Sequence, residues 1–295
     1  MINTTPLISV IMPVYNGEEF LDKAIESILN QSFQNFEFII INDGSKDNSQ
    51  SVIEKYADRR IRLINRENKG LPATLNECIS LANGEYIARQ DQDDISDINR
   101  LKKQVDYLLN NEDYLIVGSK AKYIDENGVS LSQMPFLPIS YEQILTFLPI
   151  ENPFIHGSVM FNAKVKNLNI KYKENCFVED YNFWYELLKY GKGHNLEEIL
   201  YIYRIHSSNY CKTFSKQQID DIKIVKNNII NFYLKDKNII KLISINAFEN
   251  NINDFKINEL RNNMKQLLKL FIISKMYKKY FYELLVYLKV FYLKN

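Results

Sequence analysis

The chain is 295 residues long, with 46% hydrophobic and 25% charged residues, which suits one folded domain or a domain with an appendage. Its 37 Lys and Arg nearly balance its 36 Asp and Glu, so the net charge of +1 gives no support to nucleic-acid binding. Three scattered cysteines argue against a disulfide framework, and the lack of a secretory signal or a long apolar run predicts a cytoplasmic protein without a spanning helix.

The first 110 residues alternate between short apolar runs and stretches with helical spacing. Strands are predicted at 8–14, 36–41, 61–65 and 86–89, because each run is apolar and ends at polar or turn residues. Helices are predicted at 18–31, 48–56, 71–82 and 98–110. This alternation predicts an α/β fold with a mostly parallel sheet and helices on both faces.

Beyond residue 110 the pattern is irregular, and it is interrupted by several prolines. A helix is predicted at 179–190 and a strand at 199–205, and from about residue 217 the chain reads as helical. We expect one domain over residues 1–210 and a C-terminal helical region over 211–295.

Polar residues follow three of the predicted strands. Tyr15 and Asn16 follow the first, Asp43 follows the second, and the sequence DQDD at 91–94 follows the fourth. Ligands of such sheets bind beyond the carboxyl ends of the strands, so these residues predict a binding site.

The sequence DQDD crowds three carboxylates, which repel one another unless a cation binds them. Mg²⁺ and Mn²⁺ prefer such oxygen ligands. The alternative is a solvated acidic turn that caps the next helix. Because Ser96 and Asp97 are expected to cap that helix, we favour a metal site.

Asp43 and Tyr15 suit a nucleoside pocket, in which a carboxylate accepts a hydrogen bond from a base and a ring stacks on it. Taken singly, each is more often a turn residue or a packed ring. The pair Glu179-Asp180 opens a predicted helix, where one acid suffices as a cap and the other is free to act as a general base. His206 follows a strand and is a candidate for a metal or diphosphate site.

Several familiar motifs are absent. The chain contains neither GxGxxG nor GxxxxGK[ST] nor GxSxG, so dinucleotide-binding, P-loop and serine-hydrolase functions have no support.

Six blocks resemble the family 2 glycosyltransferases of the GT-A fold, and together they extend over roughly residues 7–210. They are SVIMPVYNGEEFLDKAIESILNQSF (9–33), FEFIIINDGSKDNS (36–49), NKGLPATLNECISLANGEYIARQDQDD (68–94), NPFIHGSVMF (152–161), VEDYNFWYELLKYG (178–191) and YRIH (203–206).

The resemblance implies a nucleotide-sugar site, a metal site and an acceptor site. The residues implied for the donor, most often a uridine nucleotide, are Pro13, Tyr15, Asn16, Asp43, Arg89, Asp91 and Arg204. Those implied for Mn²⁺ or Mg²⁺ are Asp91, Asp93, Asp94 and His206. Asp180 would be the base, and Glu179 would shape the acceptor site or cap the helix. Trp184 and His156 are candidates for acceptor binding, although core packing explains Trp184 equally well.

By this resemblance the protein would be an inverting, metal-dependent hexosyl- or N-acetylhexosaminyltransferase in surface polysaccharide synthesis. It would use a nucleotide-sugar donor and a glycan or lipid-linked acceptor. Two alternatives remain, a sugar-1-phosphate nucleotidyltransferase and a noncatalytic nucleotide-sugar-binding subunit. The first lacks support because the loop at residues 15–19 is acidic and has one glycine.

Residues 265–295 contain seven Lys and one Glu, interleaved with Leu, Phe and Tyr. At helical spacing the charged residues share one half of the circumference, which is typical of a helix lying on an anionic membrane surface. We expect peripheral association with the inner face of the cell membrane. The alternative is that this helix packs on the first domain or on a second subunit of a homo-oligomer.

Overall fold

The computed structural model describes residues 5–133, 137–206 and 216–236. The described strands are β1 (Ile8–Val14), β2 (Phe36–Asp43), β3 (Ile61–Arg66), β4 (Tyr86–Arg89), β5 (Ile95–Ser96), β6 (Tyr114–Asp125), β7 (Ser130–Gln133), β8 (Met160–Asn162) and β9 (Lys192–Ile205). The described α-helices are α1 (Leu21–Leu29), α2 (Ser49–Glu54), α3 (Leu71–Leu81), α4 (Arg100–Asn110), α5 (Tyr141–Phe147), α6 (Glu179–Leu187) and α7 (Lys216–Lys235). These elements belong to one structural unit over residues 1–246.

The described strands form one mixed sheet in the order β3-β2-β1-β4-β8-β6-β9-β5, with β7 paired to β6. Strands β1 to β4 are parallel neighbours, whereas the short strand β8 runs antiparallel to both β4 and β6. Strands β6 and β9 are parallel to each other, and β5 pairs antiparallel with β9. The carboxyl ends of β1, β2 and β4 therefore lie at the same edge of the sheet.

Helices cover both faces of this sheet, because alternate residues of the central strands point to opposite sides. On one face Ile11 and Ile39 pack in a core with residues of α3, α5, α6 and α7. On the other face Val10 and Phe38 pack with residues of α1, α2 and α4. The predicted fold class, a mostly parallel sheet between helices, is confirmed.

The second half of the sheet was predicted only in part, as the strand at 199–205 that lies within β9. The apolar run of strand β6 is interrupted by Gly118, Ser119 and Lys120. The register of β6 against β9 is also irregular. Strand β8 has only three residues, and β9 begins at Lys192 rather than at residue 199. These strands are stabilised by partners far along the chain, which local periodicity does not reveal.

Helix α7 packs on α6, and its residues Val225, Ile229 and Tyr233 are buried in the same core. The Tyr233 hydroxyl donates to the carbonyl of Leu145 at 2.7 Å. The predicted domain boundary at residue 210 and the predicted membrane helix at 265–295 both fall outside the described residues. Within the described residues, no helix combines the length and apolarity that crossing a bilayer requires.

Candidate active site

The loop after β1 is held against the loop after β2 by side-chain contacts with the backbone. The N–H of Asn16 donates to the Ser45 hydroxyl at 3.0 Å. The N–H of Lys46 donates to the side-chain oxygen Oδ1 of Asn16 at 2.8 Å. Asn16 has a φ of 50°, which Asn tolerates better than most residues. Tyr15 lies between the end of β1 and Asn16, and it is 48% exposed. Its ring is therefore available to a ligand. Pro13 is a buried residue of β1 itself.

Asp43 ends β2 and is 3% exposed. Its carboxylate accepts from the N–H groups of Lys69 at 2.8 Å and Gly70 at 2.9 Å, and it also pairs with Arg66. A carboxylate offers about four acceptor positions, so these three contacts orient Asp43 without using its full capacity. Arg66 in turn donates to Thr74 at 2.7 Å, which ties Asp43 to α3.

The aspartate loop, residues 91–94, gives each of its three acids a different partner. Asp91 pairs with Arg89 at 2.6 Å, and its side chain is 27% exposed. The Asp93 carboxylate is bonded to Nε2 of His206 at 2.8 Å, and the His206 ring packs on Phe20.

Asp94 points into the interior, with 1% exposure, and its Oδ1 accepts from the Arg204 N–H at 2.7 Å. This contact joins the aspartate loop to β9, and the assignment of Asp94 as a metal ligand stays a prediction. Burial and the charges of Asp93 and Asp91 raise the pKa of Asp94 well above its usual value. Burial and Asp91 also raise the pKa of Asp93, although the hydrogen bond from His206 opposes the shift.

Two buried arginines contact the aspartate loop, and a third, Arg100, contacts the strand that leads into it. Arg89 contacts Asp91, and Arg204 donates through Nε to the Asp93 carbonyl at 2.9 Å and through Nη1 to the Asp125 carbonyl at 3.2 Å. Arg100 donates to the carbonyls of Arg89 at 2.6 Å and Val159 at 3.1 Å. Arg89 and Arg204 were predicted to contact the donor. Each is 1% exposed and contacts the aspartate loop, and a contact with the donor stays a prediction.

The capping expected for α4 is also different. Its first flanking residue is Asn99, while Ser96 lies in β5 and donates its hydroxyl to Gln90 at 2.7 Å. The Asp97 carboxylate accepts from Asn99 N–H at 2.9 Å. Ser96 therefore contacts Gln90 and the Arg100 side chain and does not cap the backbone of α4.

The chemistry of the loop fits a divalent cation that is bound partly by its substrate. Among the described residues, no three His, Cys, Asp or Glu side chains converge as a complete metal site. Mg²⁺ and Mn²⁺ commonly use one or two carboxylates together with substrate phosphates. Asp91 and Asp93, with crowded charge and partial exposure, could supply that pair, and His206 lies beside Asp93.

The acid pair opens α6, which begins at Glu179 without a side-chain cap. Asn152 donates to Asp180 Oδ2 at 2.7 Å, and the N–H of Tyr181 donates to Oδ1 at 2.6 Å. Burial raises the pKa of Glu179 to about 8, and the charge of Asp180 adds to this effect. Burial raises the pKa of Asp180 to about 6, with Asp91 contributing and the two hydrogen bonds opposing. Both pKa values are raised, and Glu179 therefore keeps its proton to a higher pH than Asp180.

Trp184 does not contact solvent: it is 0% exposed, and its ring packs on Phe154, Phe183 and neighbouring rings. The expectation that it stacks on an acceptor sugar is wrong, because α6 turns that side into the core. His156 is partly exposed, and its Nε2 is 3.1 Å from the Tyr172 hydroxyl. Burial and Arg89 lower the pKa of His156 to about 3, so the ring is neutral.

Sequence reasoning missed Arg100, Asn152, Arg66 and Gly157. A Cβ at Gly157 would collide with the Tyr201 hydroxyl and with Asp91 Oδ2, so a glycine is needed beside the aspartate loop. Arg100 reads as an ordinary helix residue. Only Asn152 and Gly157 carried a signal, since both lie in the block at 152–161.

Comparison with known proteins gives consistent similarities. A sequence profile of "Glycosyl transferase family 2" matches residues 9–167. EpsE of Bacillus subtilis strain 168, described as a glycosyltransferase, is 38% identical over 231 residues, which cover 76% of this chain and 82% of that protein. The O-antigen biosynthesis glycosyltransferase WbnJ of Escherichia coli is 34% identical over 213 residues, covering 70% and 83%.

Two solved structures are similar in fold. S. aureus TarS 1-349 in complex with UDP-GlcNAc matches with a TM-score of 0.65 at 20% identity, covering 80% of this chain and 70% of that one. The mannosyltransferase PcManGT from Pyrobaculum calidifontis, in complex with GDP-Man and Mn²⁺, matches with a TM-score of 0.57 at 14% identity, covering 94% and 89%. The similarity of fold shows a GT-A type architecture.

Proposed function

Because this chain belongs to glycosyl transferase family 2, we propose that it transfers a sugar from a nucleoside diphosphate donor to a hydroxyl group of a glycan or lipid-linked acceptor. The proposed donor is a UDP-sugar, the product has inverted anomeric configuration, and the transferred sugar is a hexose or N-acetylhexosamine. The relative WbnJ, an O-antigen biosynthesis enzyme, supports a role in surface polysaccharide synthesis.

The observation that carries this proposal is that one segment, residues 152–157, contacts both the acid pair and the aspartate loop. Asn152 donates to Asp180 Oδ2 at 2.7 Å, and Gly157 lies against Asp91 Oδ2. In keeping with this proximity, the charge of Asp91 contributes to the raised pKa of Asp180. Asp91 and Asp93 would hold Mg²⁺ or Mn²⁺ beside the donor diphosphate. When bound, that cation would neutralise the charge of the departing nucleoside diphosphate. The complex of PcManGT with GDP-Man and Mn²⁺ is in keeping with such a site.

The chain's own residues would supply the rest of the reaction. Tyr15 and Asp43 would bind the nucleoside, by stacking and by accepting a hydrogen bond. Asp180 would accept the proton of the acceptor hydroxyl as its oxygen attacks the anomeric carbon. Asn152 holds one oxygen of Asp180, which fixes the direction of the carboxylate. Glu179 is 8% exposed and has a raised pKa. In its neutral form it would add no second negative charge beside the attacking oxygen.

The experiment is a donor screen with purified full-length protein. UDP- and GDP-sugars, beginning with UDP-GlcNAc, are incubated with Mn²⁺, with Mg²⁺ and with EDTA, and release of the nucleoside diphosphate is measured. We expect release from one donor class that depends on the cation. Asp93→Ala should remove turnover and the cation-dependent part of nucleotide binding while the fold is retained. Nucleotide binding that is equal with Mn²⁺ and EDTA, in wild type and variant alike, would contradict the metal site.

If the protein binds nucleotide in a cation-dependent manner but releases no nucleoside diphosphate from any donor, the result would indicate the noncatalytic alternative. Release of pyrophosphate from a nucleoside triphosphate and a sugar 1-phosphate would indicate nucleotidyl transfer instead.

A further inference from the structure

Gln92 lies between Asp91 and Asp93, yet its side chain is bonded to a different loop. Its Oε1 accepts from the N–H of Tyr15 at 2.8 Å, and its Nε2 donates to the carbonyl of Tyr15 at 3.1 Å. One amide therefore satisfies both backbone groups of Tyr15 with opposed hydrogen bonds. The aspartate loop and the loop that carries the exposed Tyr15 ring are joined directly by this pair of bonds.

The space for this contact depends on Gly17. A Cβ at Gly17 would lie 2.7 Å from Cδ and from Oε1 of Gln92, much closer than side-chain atoms pack. The backbone of Gly17 is itself fixed, since its N–H donates to the Ser49 hydroxyl at 2.9 Å. A methyl group added at Gly17 would therefore displace the end of the Gln92 side chain.

We propose that Gln92 is a positioning residue that couples the cation-binding part of the site to the nucleoside-binding part. The inference rests on the proposed function, because it assigns Asp91 and Asp93 to the cation and Tyr15 to the base. A cation that orders the aspartate loop would fix Gln92, and Gln92 would fix the backbone of Tyr15. Coupling of this kind is reciprocal, so a nucleotide must strengthen cation binding by the same factor.

The first test replaces Gln92 by Met, which has a similar length but cannot form either hydrogen bond. The dissociation constants of UDP and GDP are measured by calorimetry in Mn²⁺ and in EDTA. In the wild type we expect Mn²⁺ to tighten binding of the preferred nucleotide by about 10-fold or more, within the usual range of coupling. In Gln92→Met that ratio should fall to about 2-fold. A residue with a merely structural role would weaken binding equally in both conditions. The matched control is Gln50→Met, an exposed glutamine of α2 that donates to Glu54 at 2.7 Å.

The second test uses a substitution of Gly17. Gly17→Ala alone should displace the amide and reduce the Mn²⁺-dependent ratio, as Gln92→Met does. In a Gln92→Ala background the added methyl group has room, so Gly17→Ala should cause little further loss. Losses that add fully in the double variant would overturn the proposal, because the two substitutions would then act independently.

The outcomes separate the inference from the function beneath it. If the wild type binds the nucleotide with Mn²⁺ and Gln92→Met keeps the full ratio, the coupling role is wrong and the proposed function stands. If the wild type binds neither UDP nor GDP in any condition, the proposed function fails, and the coupling role fails with it. Thermal unfolding of each variant checks that its fold is retained.

Discussion

Glu179 and Asp180 are neighbours in the sequence, but the structure raises the pKa of Glu179 more than that of Asp180. Glu179 is buried at the start of α6, and its pKa is raised to about 8. Asp180 accepts hydrogen bonds from Asn152 and from Tyr181 N–H, which limit its pKa to about 6. Since a general base must be ionised when it accepts the proton, Asp180 is the better candidate of the two.

We expect Asp180→Asn to bind donor normally but to transfer sugar about 10²–10⁴-fold more slowly, because an amide cannot accept the hydroxyl proton. Steady-state kinetics and calorimetry with the donor measure the two effects separately. The matched control is Glu179→Gln, which should retain most of the activity. An inactive Glu179→Gln beside an active Asp180→Asn would reverse the assignment.

The pKa of Asp180 also predicts how the rate depends on pH. Below about pH 6 the base is mostly protonated, so kcat/KM should rise about tenfold for each pH unit and level off above pH 7. The rise of kcat/KM with pH is measured with the acceptor below saturation. The Glu179→Gln variant should show the same rise. A rate that is constant between pH 5 and 7 would exclude Asp180 as the titrating base.

Ionisation of the buried Glu179 should lower the free energy of unfolding of the protein as the pH rises. Between the ordinary pKa of 4.5 and the folded value of about 8, the native state holds a proton that the unfolded state has lost. Unfolding free energy therefore falls with pH across that interval. Since Gln cannot ionise, Glu179→Gln should be more stable than wild type at pH 8, by up to about 4 kcal/mol, and similar to it at pH 4. Urea unfolding at both values measures the difference, and equal stability at pH 8 would contradict the assigned shift.

At the scale of elements, Arg100 joins α4 to β4 and to Val159, the residue before β8. Its guanidinium donates to the carbonyls of Arg89 and Val159 and to the side chains of Ser96 at 2.8 Å and Gln104 at 3.1 Å. Burial lowers the pKa of Arg100 to about 10, so it stays charged at neutral pH. The same contacts hold the strand that leads into the aspartate loop.

Arg100→Met should lower the unfolding free energy by roughly 3 kcal/mol, because it leaves buried carbonyl oxygens without donors. The control is Lys102→Met on the exposed side of α4, where the ion pair with Asp106 at 2.6 Å should contribute less than about 1 kcal/mol. Urea denaturation compares the two variants. If both lose the same small amount, the buried network does not stabilise the fold as proposed.

The first half of the sheet was predictable at this scale because its strands and helices alternate locally. The runs at 8–14 and 86–89 were predicted with the bounds of β1 and β4. Strands β6, β8 and β9 were missed or shortened, since their stability comes from pairing with one another across long separations. Register irregularities between β6 and β9 further obscure the periodicity of two.

At the scale of the whole molecule, residues 265–295 remain a prediction made from sequence alone. Their seven Lys share one half of a helix, and the opposite half holds apolar and aromatic residues such as Leu270, Tyr277 and Phe281. We therefore expect full-length protein to co-sediment with anionic liposomes at low salt. Deleting these residues should abolish co-sedimentation, and raising the salt should weaken it. Full-length protein that stays in the supernatant at low salt would contradict membrane association and favour packing on protein. Neutral liposomes are the control for nonspecific pelleting.

The sequence by itself determined the α/β class, the family and the polar groups at the carboxyl edge, because these depend on local periodicity and on residues adjacent in the chain. Only the tertiary structure decided what each polar group contacts. Asp94 turned inward because its partner, the N–H of Arg204, lies 110 residues away and reaches it through β9. Trp184 became core because other elements cover that side of α6. The separation of the pKa values of Glu179 and Asp180 likewise comes from burial and from distant partners such as Asn152, which no spacing of residues in the sequence records.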